Sequence, residues 1–265
     1  MALTETWLKQ ETAIDHFCPP GYCIYRTDRQ DGRIGGGALL LVSQDLQQSQ
    51  GPSVITPNIQ AASCTITNKF HKMGVITVYR SPKSTKEDDD ILISVISNFS
   101  KLVDKFLIVG DLNAPEIDWS LDTAFYSSFG DILLKLVGEN SLIQHVDQPT
   151  RWRSNQSSNI LDLIITKFLN DINTVEYQAP AGKSNHCVLK FTFDLNVTQA
   201  PDKYRRSFQN MDLPALLKEA TTYKWPCSLE TNVDTIWTNI KSNILKLTNK
   251  FAPLRRIRRG GKPPW

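Results

Sequence analysis

The sequence predicts a mixed α/β domain over roughly the first 195 residues, followed by a short helical extension. Two observations favour this fold class. Short apolar, often β-branched runs alternate with segments of helical periodicity, and the composition changes to a polar linker after Asn196. Of the 265 residues, 40% are hydrophobic and 22% are charged, which suits a globular chain and excludes collagen, coiled coil and general disorder.

The predicted strands share short apolar or β-branched runs bounded by turn residues. They are residues 36–42, 62–67, 73–79, 106–110, 160–166 and 188–195. Four helices are expected from apolar residues at helical spacing, at residues 87–103, 129–137, 211–220 and 233–252. We therefore predict one domain at residues 1–197 and a helical, basic connector at residues 198–265.

Charge is unevenly distributed along the chain. Residues 201–265 carry 13 basic and 5 acidic side chains, whereas residues 1–200 carry 17 basic and 22 acidic ones. An acidic body can hold a divalent cation, and a basic tail suits a polyanionic partner.

The sequence predicts no secretory signal peptide, no membrane-spanning segment and no disulfide framework. The five cysteines are scattered without a C-x-x-C pair, which favours a reducing compartment. No apolar run approaches the roughly 18 residues of a membrane span, and the start lacks the pattern of a secretory signal. We expect a nuclear or cytoplasmic protein that is neither secreted nor bound to a membrane.

The sharpest motif is VGDLNAP at residues 109–115. An apolar strand there delivers Asp111 and Asn113 to its carboxyl end, where α/β folds place their sites. The acid can exchange a proton, and the amide can bind a phosphate or a water molecule. The alternative is an ordinary turn, because Gly, Asp, Asn and Pro all favour turns.

A second motif, SNHCVL at residues 184–189, places His186 just before a strand, where it can act as a base near neutral pH. Asp162 is an acid in an otherwise apolar strand and needs a partner. His186 is one candidate partner. A salt bridge to Arg151 or Arg153 is the alternative, and a loop histidine without a catalytic role is the alternative for His186.

Two further residues stand near the ends of predicted strands. Glu5 precedes an apolar pair and is either a metal ligand or an exposed capping residue. Tyr79 ends a strand and either donates a hydrogen bond to a phosphate or packs as a rim aromatic.

Taken in order, the stretches Glu5-Thr6-Trp7, Gly110-Asp111-Leu112-Asn113 and Ser184-Asn185-His186 resemble the endonuclease/exonuclease/phosphatase superfamily. The likeness is specifically to the apurinic-type endonuclease domain of non-LTR (LINE-type) retrotransposons. Residues 32–37, 113–119 and 148–151 match as well, so the resemblance covers roughly residues 3–195. The tail resembles the connector that precedes the reverse transcriptase of such elements.

The resemblance implies a two-sheet α/β sandwich that nicks DNA in the presence of Mg²⁺, with Mn²⁺ as a substitute, and leaves a 3′-hydroxyl primer. Glu5 and Asn185 would hold the metal ion. The resemblance also implies five catalytic residues and three residues that contact DNA. The implied catalytic set is His186, Asp162, Asp111, Asn113 and Tyr79, and the implied DNA contacts are Arg33, Thr150 and Arg151. The partners would be DNA and the reverse transcriptase of the parent element.

Three departures from the family pattern are visible. Only four residues precede Glu5, so we expect that the strand carrying a metal-site Asn is absent. Position 185 is Asn where the family usually has Asp, which should lower metal affinity. Residues 80–83 lack the Asn that often follows the Tyr. We therefore expect the chain to be a truncated or degraded copy of a retrotransposon endonuclease. A catalytically impaired nucleic-acid-binding remnant and a phosphatase of the same fold are the alternatives to the endonuclease.

Overall fold

The computed structural model describes residues 1–14, 17–152, 158–195, 204–205, 211–225, 232–253 and 255–256. The chain divides into two units, Met1–Leu195 and Asn196–Trp265. All the predicted site residues lie in the first unit.

Twelve strands are found in the described part of the first unit. They are β1 (Ala2–Thr4), β2 (Tyr22–Thr27), β3 (Ala38–Ser43), β4 (Gln47–Gln50), β5 (Val54–Ile55), β6 (Ile59–Thr67), β7 (Lys72–Arg80), β8 (Lys105–Asp111), β9 (Ile143–Gln144), β10 (Asp162–Thr166), β11 (Ile172–Gln178) and β12 (Val188–Phe193). The large sheet has the order β4-β6-β7-β8-β10-β9, with β5 beside β6. Within it β7 and β8 are parallel and the other pairs are antiparallel. A small sheet has the order β1-β3-β2, and β11 pairs with β12.

Two helices cover one face of the large sheet. Helix α1 (Lys86–Lys101) begins with a capping box in which Thr85 and Asp88 satisfy each other's backbone amides. Helix α2 (Phe129–Glu139) begins at Ser128, whose hydroxyl accepts a hydrogen bond from the backbone of Asp131. Both predicted helices are confirmed, with ends shifted by about two residues.

The core consists of two apolar layers on opposite faces of the large sheet. One layer joins Ile76, Val78 and Ile108 to helix residues such as Leu92 and Leu133. In the other, residues of the large sheet pack against β3, β11 and β12; this layer contains Leu40, Val42, Val75, Val109, Phe191 and others. The predicted α/β sandwich is therefore confirmed, with its second layer divided between the small sheet and the β11–β12 hairpin.

The second unit contains helices α3 (Leu213–Ala220) and α4 (Val233–Phe251), both predicted from the sequence. Asp212 and Asn232 cap their first turns. Two short strands, β13 (Tyr204–Arg205) and β14 (Arg255–Arg256), pair antiparallel. The predicted linker at residues 201–210, apart from β13, and the end of the basic tail lie outside the described residues. None of the described helices has the length and apolar character needed to cross a membrane.

Candidate active site

Four strands of the large sheet bring four polar side chains into one row. The register pairs Gln60 with Tyr79, Tyr79 with Asp111, and Asp111 with Asp162. Side chains alternate between the faces of a strand, and Asp111 lies two residues after Val109, which packs between the two sheet layers. The row therefore faces the gap between the layers, at the carboxyl ends of the parallel strands β7 and β8.

Asp111 owes its position to the glycine before it. Gly110 has a φ of 128°, and a Cβ there would collide with the backbone carbonyl of Val78 on the neighbouring strand. After Asp111 the chain turns sharply, since Asn113 has a φ of 47° and its N–H donates to Asp111 Oδ1 at 3.1 Å. The GDLN motif is thus both a turn and the carrier of the acid, so the two interpretations of the sequence are compatible.

His186 reaches the row from the segment before β12. Its Nδ1 lies 2.7 Å from Asp162 Oδ2, and its backbone N–H donates to Ser184 Oγ at 3.0 Å. Partial burial lowers the pKa of His186, but the hydrogen bond and the charges of Asp162 and Asp111 outweigh it, so that the pKa is raised overall. Asp162 therefore finds its partner in His186, and Arg153 lies outside the described residues.

Asp111 is the most strongly perturbed acid of the site. The pKa of Asp111 is raised to about 7, mainly by burial and next by the negative charge of Asp162. The charge of Glu5 raises it slightly further. His186 acts in the opposite direction. A carboxyl group with such a pKa can both give and take a proton near neutral pH.

Glu5 lies in the segment immediately after β1 and is close to Tyr79, on the side of the row away from His186. Its Oε2 accepts hydrogen bonds from Gly36 N at 2.7 Å and from Trp7 Nε1 at 2.8 Å. Burial first, and the adjoining Glu5 carboxylate second, raise the pKa of the Tyr79 phenol. The structure thus places Glu5 beside Tyr79, although the two residues are 74 positions apart in the sequence.

The three expected DNA contacts have different surroundings. Thr150 is fully buried, and its Oγ1 accepts hydrogen bonds from the N–H groups of Leu161 at 3.1 Å and Asp162 at 3.0 Å. Because this hydroxyl is used inside the protein, Thr150 positions Asp162 and does not itself face a ligand, which corrects the expected DNA contact.

Arg151 and Arg33 remain near the protein surface. The backbone of Arg151 forms a β-bridge with His186, and its charge counteracts the raised pKa of that imidazole. Arg33 is paired with Asp31 at 2.5 Å and also bonds Asn58 Oδ1 at 3.1 Å. A phosphate that binds Arg33 would thus compete with an existing ion pair.

Sequence reasoning missed Arg80, which follows Tyr79. Its Nη1 donates to the carbonyl oxygen of Asn113 at 2.9 Å, and its Nε and Nη2 bond the carboxylate of Asp89 at 2.7 and 2.9 Å. Phe129 stacks on the guanidinium with its ring centre 3.8 Å from Cζ. The only sequence signal was an arginine immediately after the predicted strand at residues 73–79, which by itself does not distinguish a buried, paired arginine from an exposed one.

The donor chemistry suits a hard divalent cation. Glu5, Asp111 and Asp162 lie close enough for two of the charges to raise the pKa of the third, and carboxylate and amide oxygens are the ligands that Mg²⁺ prefers. In the described part of the chain, no three His, Cys, Asp or Glu side chains form a cage that could hold a metal ion. That finding is compatible with Mg²⁺, which is usually held by one or two carboxylates, with water and substrate phosphate completing its shell.

Asn185 contributes its backbone to the site. Its carbonyl oxygen accepts a hydrogen bond from Trp152 N at 3.0 Å, which fixes the segment just before His186. As a donor to a cation, an amide oxygen is weaker than a carboxylate oxygen because it carries no charge.

The sequence matches a protein family over the segment that carries most of the candidate site. Residues 73–190 match a family described as endonuclease-reverse transcriptase. This stretch contains Tyr79, the GDLN motif, Asp162 and His186. No curated protein matches the chain.

Solved structures establish the fold. The endonuclease domain of TRAS1, a telomere-specific non-LTR retrotransposon, is 19% identical with a TM-score of 0.52, over 66% of this chain and 79% of that one. A 3′-5′ exonuclease (NExo) from Neisseria meningitidis is 15% identical with a TM-score of 0.53, over 73% and 88% of the two chains. The 3′ phosphatase NExo from Neisseria, as a variant bound to a product DNA hairpin, gives 15% identity and a TM-score of 0.52 over the same shares.

Proposed function

We propose that the chain is a Mg²⁺-dependent DNA endonuclease, because residues 73–190 match the endonuclease-reverse transcriptase family and the fold is similar to that of the TRAS1 endonuclease domain. It hydrolyses one phosphodiester bond in duplex DNA and leaves a 3′-hydroxyl that the reverse transcriptase of the parent element extends. The observation that carries the proposal is the cross-strand row of Tyr79, Asp111 and Asp162 with His186 paired to its last member.

The hydrolysis needs a nucleophile, a proton acceptor and a proton donor. A water oxygen attacks the phosphorus, the P–O3′ bond breaks, the water loses a proton and the leaving 3′ oxygen gains one. His186, oriented by Asp162, contacts the scissile phosphate or accepts the proton of the water. Asp111 transfers the proton of the water or of the leaving oxygen, Asn113 positions the nucleophile, and the Tyr79 hydroxyl donates to a phosphate oxygen.

Glu5 and Asn185 are the proposed metal ligands. When bound, Mg²⁺ neutralises charge on the phosphate and stabilises the leaving oxygen. An Asn185→Asp variant adds a negative charge at this position, so the Mg²⁺ concentration that gives half-maximal nicking should fall several-fold. An unchanged or higher requirement would remove Asn185 from the metal site.

The test of the proposed function is conversion of supercoiled plasmid to open circles by the purified full chain. We expect nicking with Mg²⁺ or Mn²⁺, no nicking in chelator, and loss of nicking in His186→Ala. His71→Ala, in the turn between β6 and β7, is the matched control and should nick normally. Nicks with 3′-hydroxyl ends support primer extension by a DNA polymerase. Intact plasmid at saturating Mg²⁺ and Mn²⁺ would refute the catalytic proposal.

A phosphatase of the same fold is the second candidate, since one structural neighbour is a 3′ phosphatase. An oligonucleotide with a 3′-phosphate end separates the two activities. Release of inorganic phosphate from that end without plasmid nicking would favour the phosphatase. DNA binding without either reaction would identify a catalytically impaired remnant, as expected if Asn185 weakens the metal site too far.

A further inference from the structure

A pocket separate from the carboxylate row opens beside Glu5. It has a volume of about 550 Å³ and lies between the segment after β1 and the β2–β3 loop, residues 28–37. Its walls include Trp7, Arg29, Arg33 and Ile34. No role in the reaction has been given above to Trp7, Arg29 or Ile34.

Arg29 is a buried cation without a strong partner. Its side chain is 8% exposed, and its Nε and Nη2 are buried with no hydrogen-bond acceptor. Its ion pair with Asp31 is 4.0 Å long, while Arg33 already holds Asp31 at 2.5 Å. Removing a guanidinium from water costs free energy unless an anion compensates for it. Hydrogen bonds and ion pairs within the protein thus compensate the charge of Arg29 only in part.

The position of Arg29 joins the pocket to the row. Its Cζ lies 5.7 Å from the centre of the Tyr79 ring. A Cβ on Gly35 would lie 3.3 Å from Glu5 Oε2 and 3.9 Å from Arg29 Nη1, so the cation and the acid are near neighbours. A Cβ on Gly36 would come within 2.9 Å of Arg29 Cζ, so the glycines leave the room that the guanidinium fills.

The rim of the pocket is apolar and exposed. Ile34 is 84% exposed, and Trp7 is 64% exposed although its Nε1 is fixed by the hydrogen bond to Glu5. An indole that is held in place and open to solvent is a stacking surface for a nucleic-acid base. A Cβ on Gly35 would lie 3.7 Å from Trp7 Nε1 and 3.9 Å from Arg29 Nη1, so a buried cation and an exposed aromatic are near neighbours. They match the two parts of a nucleotide, its phosphate and its base.

We propose that this pocket binds the nucleotide adjacent to the cleaved bond, with Arg29 compensating its backbone phosphate and Trp7 contacting its base. The proposal rests on the proposed function because it assumes a DNA strand in the neighbouring site. It assigns to Arg29 and Trp7 substrate binding outside the reacting phosphate, so their loss should weaken affinity more than turnover.

The test measures binding of a fluorescein-labelled DNA duplex by anisotropy, with Ca²⁺ in place of Mg²⁺ to prevent turnover. In Arg29→Gln we expect about tenfold weaker binding at moderate salt, and a slope of log affinity against log salt that is smaller by about one. In Trp7→Ala we expect roughly tenfold weaker binding with an unchanged slope, because stacking releases no counterion. In nicking assays both variants should raise KM more than they lower kcat.

Lys72→Gln is the matched control for the loss of one positive charge. Lys72 is exposed at the opposite end of β7, seven residues or about 23 Å from Tyr79. Its affinity and salt slope should equal those of the wild type. Unfolding of Arg29→Gln would be recognised by circular dichroism; Trp7→Ala, at an exposed position, then decides the question.

The outcomes separate this proposal from the proposed function. A wild-type chain that nicks plasmid while Trp7→Ala and folded Arg29→Gln bind DNA normally would overturn the subsite and leave the endonuclease intact. A wild-type chain that binds DNA without cleaving it, together with weakened binding in the two variants, would support the subsite and refute the catalysis.

Discussion

Asp111 and Asp162 are direct cross-strand partners in β8 and β10, and only Asp162 is hydrogen-bonded to His186. Two neighbouring carboxyl groups therefore have different environments. Asp162 is paired with an imidazole, whereas Asp111 is buried beside a charge of its own sign and has its pKa raised. Different environments for two adjacent acids assign them different chemical roles. We infer that Asp162 orients the histidine and that Asp111 transfers protons.

Asp162→Asn tests the first of these roles. The amide keeps the shape of the side chain but no longer stabilises a charged imidazole or fixes its tautomer. We expect the nicking rate to fall by roughly 10²- to 10⁴-fold, the range typical of a disabled general acid or base. Circular dichroism should be unchanged. The exposed Asp45→Asn is the control, and a rate within threefold of wild type for Asp162→Asn would contradict the role.

Part of this site follows from sequence alone. Asp111, Asn113, Asp162 and His186 occur in short motifs whose residue types indicate chemistry, and the structure places their segments together. Their register across β7, β8 and β10 could not be predicted, because strand pairing is set by contacts between residues far apart in the chain.

The fold was predicted best where strands are buried. β3, β6, β7, β8 and β10 are mostly apolar runs. β4 reads QQSQ and has no apolar residue, and polar residues outnumber apolar ones in β11 (INTVEYQ), so neither stretch gives an apolar run. The strands β1, β5 and β9 have only two or three residues, too few for a periodic pattern. Thr150 was misjudged because a threonine next to an arginine gives no sign of being buried.

Arg80 is expected to position the turn after β8. Arg80→Gln breaks the paired contact with Asp89 and releases the Asn113 carbonyl, and it should destabilise the fold by about 3–5 kcal/mol because a buried charge is left unpaired. Nicking should fall by about 10²-fold from misplacement of the Asp111–Asn113 turn. Urea denaturation and initial nicking rates measure the two effects.

A double variant separates stability from positioning. Arg80→Met with Asp89→Leu removes both charges and should recover much of the stability. It leaves the Asn113 carbonyl without its donor, so the nicking rate should stay low. Recovery of the rate together with the stability would mean that Arg80 acts only as a structural ion pair.

Two glycines with opposite surroundings give a matched pair. Gly110→Ala adds a Cβ against the Val78 backbone at a φ of 128°, and should cost about 1–3 kcal/mol for the backbone conformation alone, with the collision in addition. Gly138→Ala, in α2, has no atom within 4 Å of its new Cβ and should stabilise the fold by about 0.5–1 kcal/mol. Thermal melting should therefore shift in opposite directions, and similar shifts would contradict the strained conformation at Gly110.

His145 provides a pH dependence outside the site. Thr166 Oγ1 donates to the carbonyl oxygen of Phe168 at 2.9 Å, so it must accept from His145 Nε2, 2.6 Å away. The neutral ring therefore carries its proton on Nε2. Burial lowers the pKa of His145, and the charge of Asp171 opposes the shift only in part.

Since the folded chain keeps His145 neutral, the unfolded chain takes up the proton first as the pH falls. The stability that depends on His145 is complete above its unfolded pKa of about 6.5 and is lost progressively as the pH falls through the lower folded value. His145→Gln keeps a donor for Thr166 but cannot be protonated. The urea midpoint of the wild type should therefore fall more between pH 7.5 and pH 5 than that of His145→Gln. Equal falls in the two proteins would mean that protonation of His145 does not contribute to acid destabilisation.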